Sequence, residues 1–275
     1  MAKQKGIHRL SGKVDGMSYY SSKNGGSLAR SINDGMSERV KTAKEYINTR
    51  KNNAEFGMCG DFAGAIIKPI SQRWRFILDS IATGKMVKVM KDAVKLNTLN
   101  PWGQRVLGAT DYPAFIEAFN SFSKNEMIEE IANVLAAPIT WDSETRTLTL
   151  SEVPVLSIEH EQELIAEGVN TFYTKVYALQ VKKPVFNTAA NAYTKATSTL
   201  VEITGMSTDG DFDGTIDSDL ISSSTAVVDF ADVVDNGEFG GLLVVFLPAR
   251  KVGGVVSVLQ EKCSAMLAPV VEAGE

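Results

Sequence analysis

Residues 12–33 read GKVDGMSYYSSKNGGSLARSIN, and this stretch decides how the chain divides. Glycine punctuates it at Gly12, Gly16 and the pair Gly25 and Gly26, and apolar residues are too sparse to make a core. Ser18, Tyr19, Tyr20 and Ser21 favour extended backbone, and Asn24-Gly25 supplies the positive φ of a tight turn, so the spacing predicts a hairpin turning at 23–26. An isolated two-stranded hairpin is marginal in water, so this one must pair with another sheet, its own or a neighbour's. The competing reading is a disordered basic tail. Taken as a docking arm, the stretch nominates Gly12, Gly16, Tyr19, Tyr20, Gly25, Gly26 and Arg30 as its assembly residues.

Beyond the arm the pattern turns helical. From Ser37, a candidate N-cap, Val40, Ala43, Tyr46 and Ile47 fall on one face at spacings of three and four. Pro69 cannot continue a helix interior, which predicts two helices, near 53–67 and 70–82, meeting at a bend. The run KMVKVMKDAVKL at 85–96 is amphipathic with a lysine face, and further helices are expected near 112–121 and 124–136. At Pro138 the texture becomes β. ITWDSETRTLTL reads as two short strands about a turn at Asp142-Ser143-Glu144, 170–182 alternates, and strands follow near 197–204, 225–234, 241–247 and 254–260. The apolar run GGLLVVFLPA is expected as a central strand covered on both faces, and 159–168 as a short helix or an excursion between strands.

The predicted fold class is α+β: an extended N-terminal arm, a helical middle and a C-terminal antiparallel β-sandwich. The corresponding division is a basic glycine-rich arm and linker over 1–50, a helical domain over 51–137 and a sandwich-like domain over 138–275.

Charge follows the same division. Residues 1–105 carry 19 Lys+Arg against 8 Asp+Glu, and the remainder carries 9 against 25. Opposite fields on the two halves fit head-to-tail self-assembly, the basic arm of one subunit lying on the acidic domain of the next. They also fit nucleic-acid binding by the basic half, although dense Lys/Arg runs and interleaved base-stacking aromatics are missing from the arm.

Chemistry-bearing motifs are few. His8 and His160 are the only histidines, so a Ser/His/Asp or Cys/His relay would need one of these exposed positions, and no phosphate-cradling glycine loop occurs. Cys59 and Cys263 lack metal-ligand spacing and read as buried or semi-buried thiols, which fits a reducing compartment. No apolar run is long enough to span a bilayer, the N-terminus lacks the apolar core of a secretory signal, and synthesis in the cytoplasm is expected. Asp209, Asp211 and Asp213, with Gly214 and Ile216, reproduce the opening of a calcium loop. Leu220 stands where the closing bidentate glutamate belongs, and the flanks read as strand. The segment is therefore either an acidic hairpin loop or a calcium site, and no other cofactor is expected.

The opening GI..L.GKVDGMSYY, then GGSLAR, then the basic NTRKNNAEFG resembles an uncharacterised family of Bacteroidota genomes and their tailed phages, including crAss-like phages. The matching residues are Gly12, Gly16, Tyr19, Tyr20, Arg30, Arg50, Asn53, Glu55, Phe56 and Gly57, with Asp15 in place of a second glycine of the first motif. The likeness covers mainly residues 1–100. It implies a virion component without known enzymatic activity, and hence location in the virion. Self-association as a homo-oligomer and contacts with other virion proteins are the accompanying expectations. The resulting expectation is a structural subunit, a neck or tail ring protein or a capsid-associated accessory, with no membrane partner. The alternative is a cytoplasmic nucleic-acid-associated protein.

Overall fold

A computed structural model describes residues 2–3, 10–22, 26–32, 35–121, 140–142, 147–149, 158–203, 208–211, 225–227, 239–269 and 271–272. The chain is α+β, with helices and mainly antiparallel sheets, and divides into two compact units, Met1–Asn53 and Ala54–Glu275.

The first unit is built on a four-stranded sheet of β1 (Ala2–Lys3), β2 (Gly12–Val14), β3 (Met17–Ser22) and β4 (Gly26–Ser31), in the order β1-β4-β3-β2. β3 and β4 pair antiparallel from Met17 opposite Ser31 to Ser22 opposite Gly26, which is the expected hairpin; its turn residues 23–25 lie outside the described residues. The helix expected to run on from Ser37 is broken. α1 (Met36–Thr42) starts after Gly35 rather than at Ser37 and stops at Ala43, whose ψ of 143° is extended. Arg50 Nη1 donates to the carbonyls of Val40 and Ala43 at 2.9 and 2.8 Å, satisfying acceptors that a continuing helix would have used.

In the second unit, α2 (Ile47–Arg73, its first residues belonging to the first unit) continues through Pro69 as one helix. The expected division into two helices at the proline therefore does not occur. Met58, Cys59, Phe62, Ala63, Ile66, Ile67 and Ile70 form one buried stripe at spacings of three and four. Burial of the three isoleucines around the proline, at about 1.5–3 kcal/mol each, outweighs the roughly 3 kcal/mol of an interior proline. α3 (Ala82–Leu96) buries Met86, Val87, Met90 and Val94, and α4 (Tyr112–Asn120) buries Phe115, Ile116, Ala118 and Phe119. The helix expected near 124–136 lies outside the described residues. α5 (Ile158–Ala166) takes the helical one of the two readings open for 159–168.

β5 (Thr140–Asp142) and β6 (Thr147–Thr149) pair antiparallel, as read. They belong to a four-stranded sheet ordered β12-β6-β5-β16, with β12 at Thr225–Val227 and β16 at Val271–Glu272 joining β5 in parallel. The larger sheet centres on β7 (Thr171–Lys182) and β13 (Phe239–Val252), paired antiparallel over eleven positions from Phe239 opposite Val181 to Ala249 opposite Thr171. β10 (Thr197–Glu202) and β11 (Thr208–Asp211) flank β7, while β14 (Val255–Val258) and β15 (Ser264–Pro269) flank β13. A small ribbon of β8 (Phe186–Asn187) and β9 (Ala192–Tyr193) lies between β7 and β10 in the chain.

Both faces of the large sheet are buried. Tyr177, Leu179, Val181, Leu243, Val245, Leu247, Ala265 and Leu267 share one core with α2, α3 and α4, so the helical segment and the sheet form one packed body. Phe172, Val176, Ala178, Leu242, Val244, Phe246 and Ala268 are buried on the opposite face. Asn120, at the end of α4, completes the docking. Its Nδ2 donates to the Leu267 carbonyl at 3.0 Å and its Oδ1 accepts from the Leu267 amide at 2.9 Å.

Candidate functional site

The arm residues occupy a sheet whose geometry their sequence dictates. Asp15 and Gly16 have φ of 47° and 70°, the two positive angles that a type I′ turn needs, and they join β2 to β3. The aspartate-glycine pair thus makes a second hairpin ahead of the expected one, a signal present in the sequence but read there only as punctuation. Gly12 stands opposite Tyr19, Tyr19 opposite Ala29, and Tyr20 opposite Leu28. Tyr19 and Tyr20 therefore face opposite sides. Arg30 lies with its guanidinium carbon 5.8 Å from the Tyr20 ring centre, a cation–π contact, and Lys13 shares that face opposite Ser18. Gly26 begins β4, and Gly25 lies outside the described residues.

Among the described residues of this unit only Ser27 and Ala29 are buried. The Ser27 hydroxyl has no hydrogen-bond partner among them.

Asp209 and Asp211 lie in β11, opposite Tyr173 and Thr171 of β7, while Asp213 lies outside the described residues. Among the described residues no group of three His, Cys, Asp or Glu side chains is placed to hold a metal ion.

A polar cluster lies at Glu55, which the sequence marks only as part of the NTRKNNAEFG likeness and not by its partners. This residue heads the apolar stripe of α2, four positions before Cys59 and seven before Phe62, and it is fully buried. A charge on an otherwise apolar stripe was the available signal. Its Oε1 accepts from Arg105 Nε at 2.7 Å and the Gly103 amide at 2.8 Å; its Oε2 accepts from Arg105 Nη2 and Lys91 Nζ, both at 2.8 Å. Burial by itself would push the carboxyl up, but the Arg105, Lys91 and Gly103 hydrogen bonds outweigh it and hold the carboxyl at about 2. The loop after α3 is pinned further by Asn97, whose Nδ2 donates to the Val106 carbonyl at 2.7 Å, and by Tyr193, whose hydroxyl donates to the Arg105 carbonyl at 2.8 Å.

With four donors on two oxygens and so low a pKa, Glu55 has neither a free lone pair nor a proton to exchange at neutral pH. Its chemistry is that of a clamp joining α2, α3 and the 97–108 loop. Cys59, one turn further along, is buried and its thiol is pushed up to about 11 by desolvation; burial likewise pushes Cys263 up to about 12. Neither is a poised nucleophile.

In comparisons with known proteins, no family model matches the chain and no curated protein matches it. No helix among the described residues is long and apolar enough to cross a membrane.

Proposed function

We propose that the chain is a structural subunit of a phage virion, a neck or tail ring protein or a capsid-associated accessory, and that it assembles through its N-terminal sheet. The observation that carries the reading is the first unit itself: a separate four-stranded sheet with two buried residues among those described, and with Tyr19 and Tyr20 on opposite faces. A sheet this thin gains its stability from an added surface, and a tyrosine on each face offers large apolar area with a polar tip. The likeness of GKVDGMSYY and NTRKNNAEFG to the phage family supports the virion setting.

The C-terminal fold is read in the same way. The face of the large sheet turned away from the helices is apolar along β7, β13 and β15, and β16 follows β15 after a single residue. That face requires a cover, and the β5-β6-β12-β16 sheet is the available second layer of a sandwich.

Sedimentation and electron microscopy of the purified chain test the assembly reading. Oligomers of defined stoichiometry are expected, lost on replacing Tyr19 and Tyr20 by Ser while the main melting transition stays put. A second reading, nucleic-acid binding, draws on Lys13, Tyr20 and Arg30 sharing one face of the sheet. A chain that stays monomeric and binds DNA with a steep salt dependence would replace the assembly reading with that one.

A further inference from the structure

Beside the Glu55 clamp, on the exposed side of α2 and α3, runs a groove of about 410 Å³. Phe56, 57% exposed, and Val87 give it an apolar floor, and Gly84 leaves it open, since a Cβ there would meet nothing within 4 Å. Lys88, Lys91 and Lys95 line it, with Asp92 as its one acid. Lys95 is held by Asp92 at 2.6 Å, and Lys91 points inward to Glu55, which Arg105 already neutralises. Lys88 is exposed, and its charge acts on Asp92 from beyond ion-pair distance. The groove is thus apolar at its base and net positive around it.

An occupant must bring apolar anchors and carboxylates together, and the chain's own sequence contains such a segment. Residues 207–220, STDGDFDGTIDSDL, hold five Asp and no Lys or Arg, with Phe212, Ile216 and Leu220 recurring every fourth residue. The surrounding stretch is equally one-sided: between Lys195 and Arg250 there is no Lys or Arg against ten Asp+Glu.

We propose that the groove between α2 and α3 docks the acidic segment 209–220 of a second copy of this chain. The contact goes beyond the arm. It is heterologous, the groove of one copy meeting the acidic segment of the next, so it propagates head to tail and closes into a ring where the rotation permits. Apolar anchoring supplies the affinity, while the lysine rim steers the approach and selects an acidic segment over a basic one. The start of the segment is fixed within its own sheet, because β11 pairs with Thr171–Thr174 of β7, and the groove opens on the solvent side of the helices.

A fluorescein-labelled peptide of residues 207–220, titrated against the full chain and followed by anisotropy, reads this contact directly. Saturable binding is expected, weakened about tenfold by Phe56→Ser and by Lys88→Glu, and weakened again on raising salt from 50 to 300 mM. Both substituted side chains are exposed, so circular dichroism and melting should match the parent chain. A peptide with Asp213 and Asp217 changed to Lys should regain affinity for the Lys88→Glu chain. In sedimentation, concentration-dependent association of the full chain should decline with Lys88→Glu. Failure of the parent chain to saturate, equal affinity for the parent and Phe56→Ser chains, or association indifferent to Lys88→Glu would each overturn the proposal. The peptide titration involves no arm contact, so its failure leaves the arm reading standing, and Tyr19 and Tyr20 substitutions should leave the titration unchanged.

Discussion

At Glu55 four hydrogen bonds converge on one buried carboxylate, and protonating it would leave Arg105 and Lys91 facing a neutral acid. The carboxyl is held at about 2 in the folded chain against an ordinary value of 4.5. A depressed folded value means that the linked stability, about 3 kcal/mol, is fully present above pH 4.5 and lost as pH falls towards 2. Glu55→Gln should therefore flatten the acid limb of a stability-against-pH curve over that window. At pH 7 the same substitution should destabilise by about 3–5 kcal/mol, because it strands two cations at a buried site. Urea unfolding at pH 7 and pH 3 checks both, and an unchanged acid limb would remove Glu55 from the account. A different residue-scale logic holds at Asp15-Gly16, where backbone conformation decides the turn and side-chain contact plays little part.

At the scale of elements, α4 is fastened to β15 by a side chain that behaves like a neighbouring strand, Asn120 making both hydrogen bonds of Leu267. Asn120→Ala should destabilise by about 2–4 kcal/mol, since a buried amide and a buried carbonyl both lose their partners. Asn120→Asp, which keeps the acceptor and loses the donor, should cost less than alanine at neutral pH only if the amide bond dominates; thermal melting of the two variants separates the contributions. Among the elements, β7, β13 and the β3–β4 hairpin were legible because alternation, apolar runs and turn residues all agree. The path of α2 through Pro69 was not, because proline is a local signal and the burial of Ile66, Ile67 and Ile70 against the sheet is a tertiary one. The break at Ala43 was missed for a similar reason. Its stabilising partner, Arg50, approaches from the next helix, and nothing in the periodicity of 37–47 announces it.

At the scale of the whole molecule, the chain forms two compact units, Met1–Asn53 and Ala54–Glu275. The transition from helical to β texture at Pro138 marks a change of element type, yet α2, α3 and α4 share one core with β7, β13 and β15. Composition registers the kind of secondary structure in each segment, whereas a shared core depends on which apolar faces meet. The Glu55 clamp was legible only as an anomaly, one charge on an apolar stripe, because Lys91 and Arg105 lie 36 and 50 residues away in the chain.

That shared core also contains a clock. Cys59 is fully buried and Cys263 is 2% exposed, one on the helical side and the other just before β15. At pH 8 a thiol held near 11 is ionised to only about one part in a thousand, and no alkylating reagent reaches it without separation of the layers. Iodoacetamide uptake, counted by mass spectrometry, should accordingly be slow and should rise in step at both cysteines as urea is added, timing the opening of helices from sheet. Rapid modification of either thiol in the native chain would contradict so tightly closed a body, and modification of Cys263 well ahead of Cys59 would show the sheet edge loosening first.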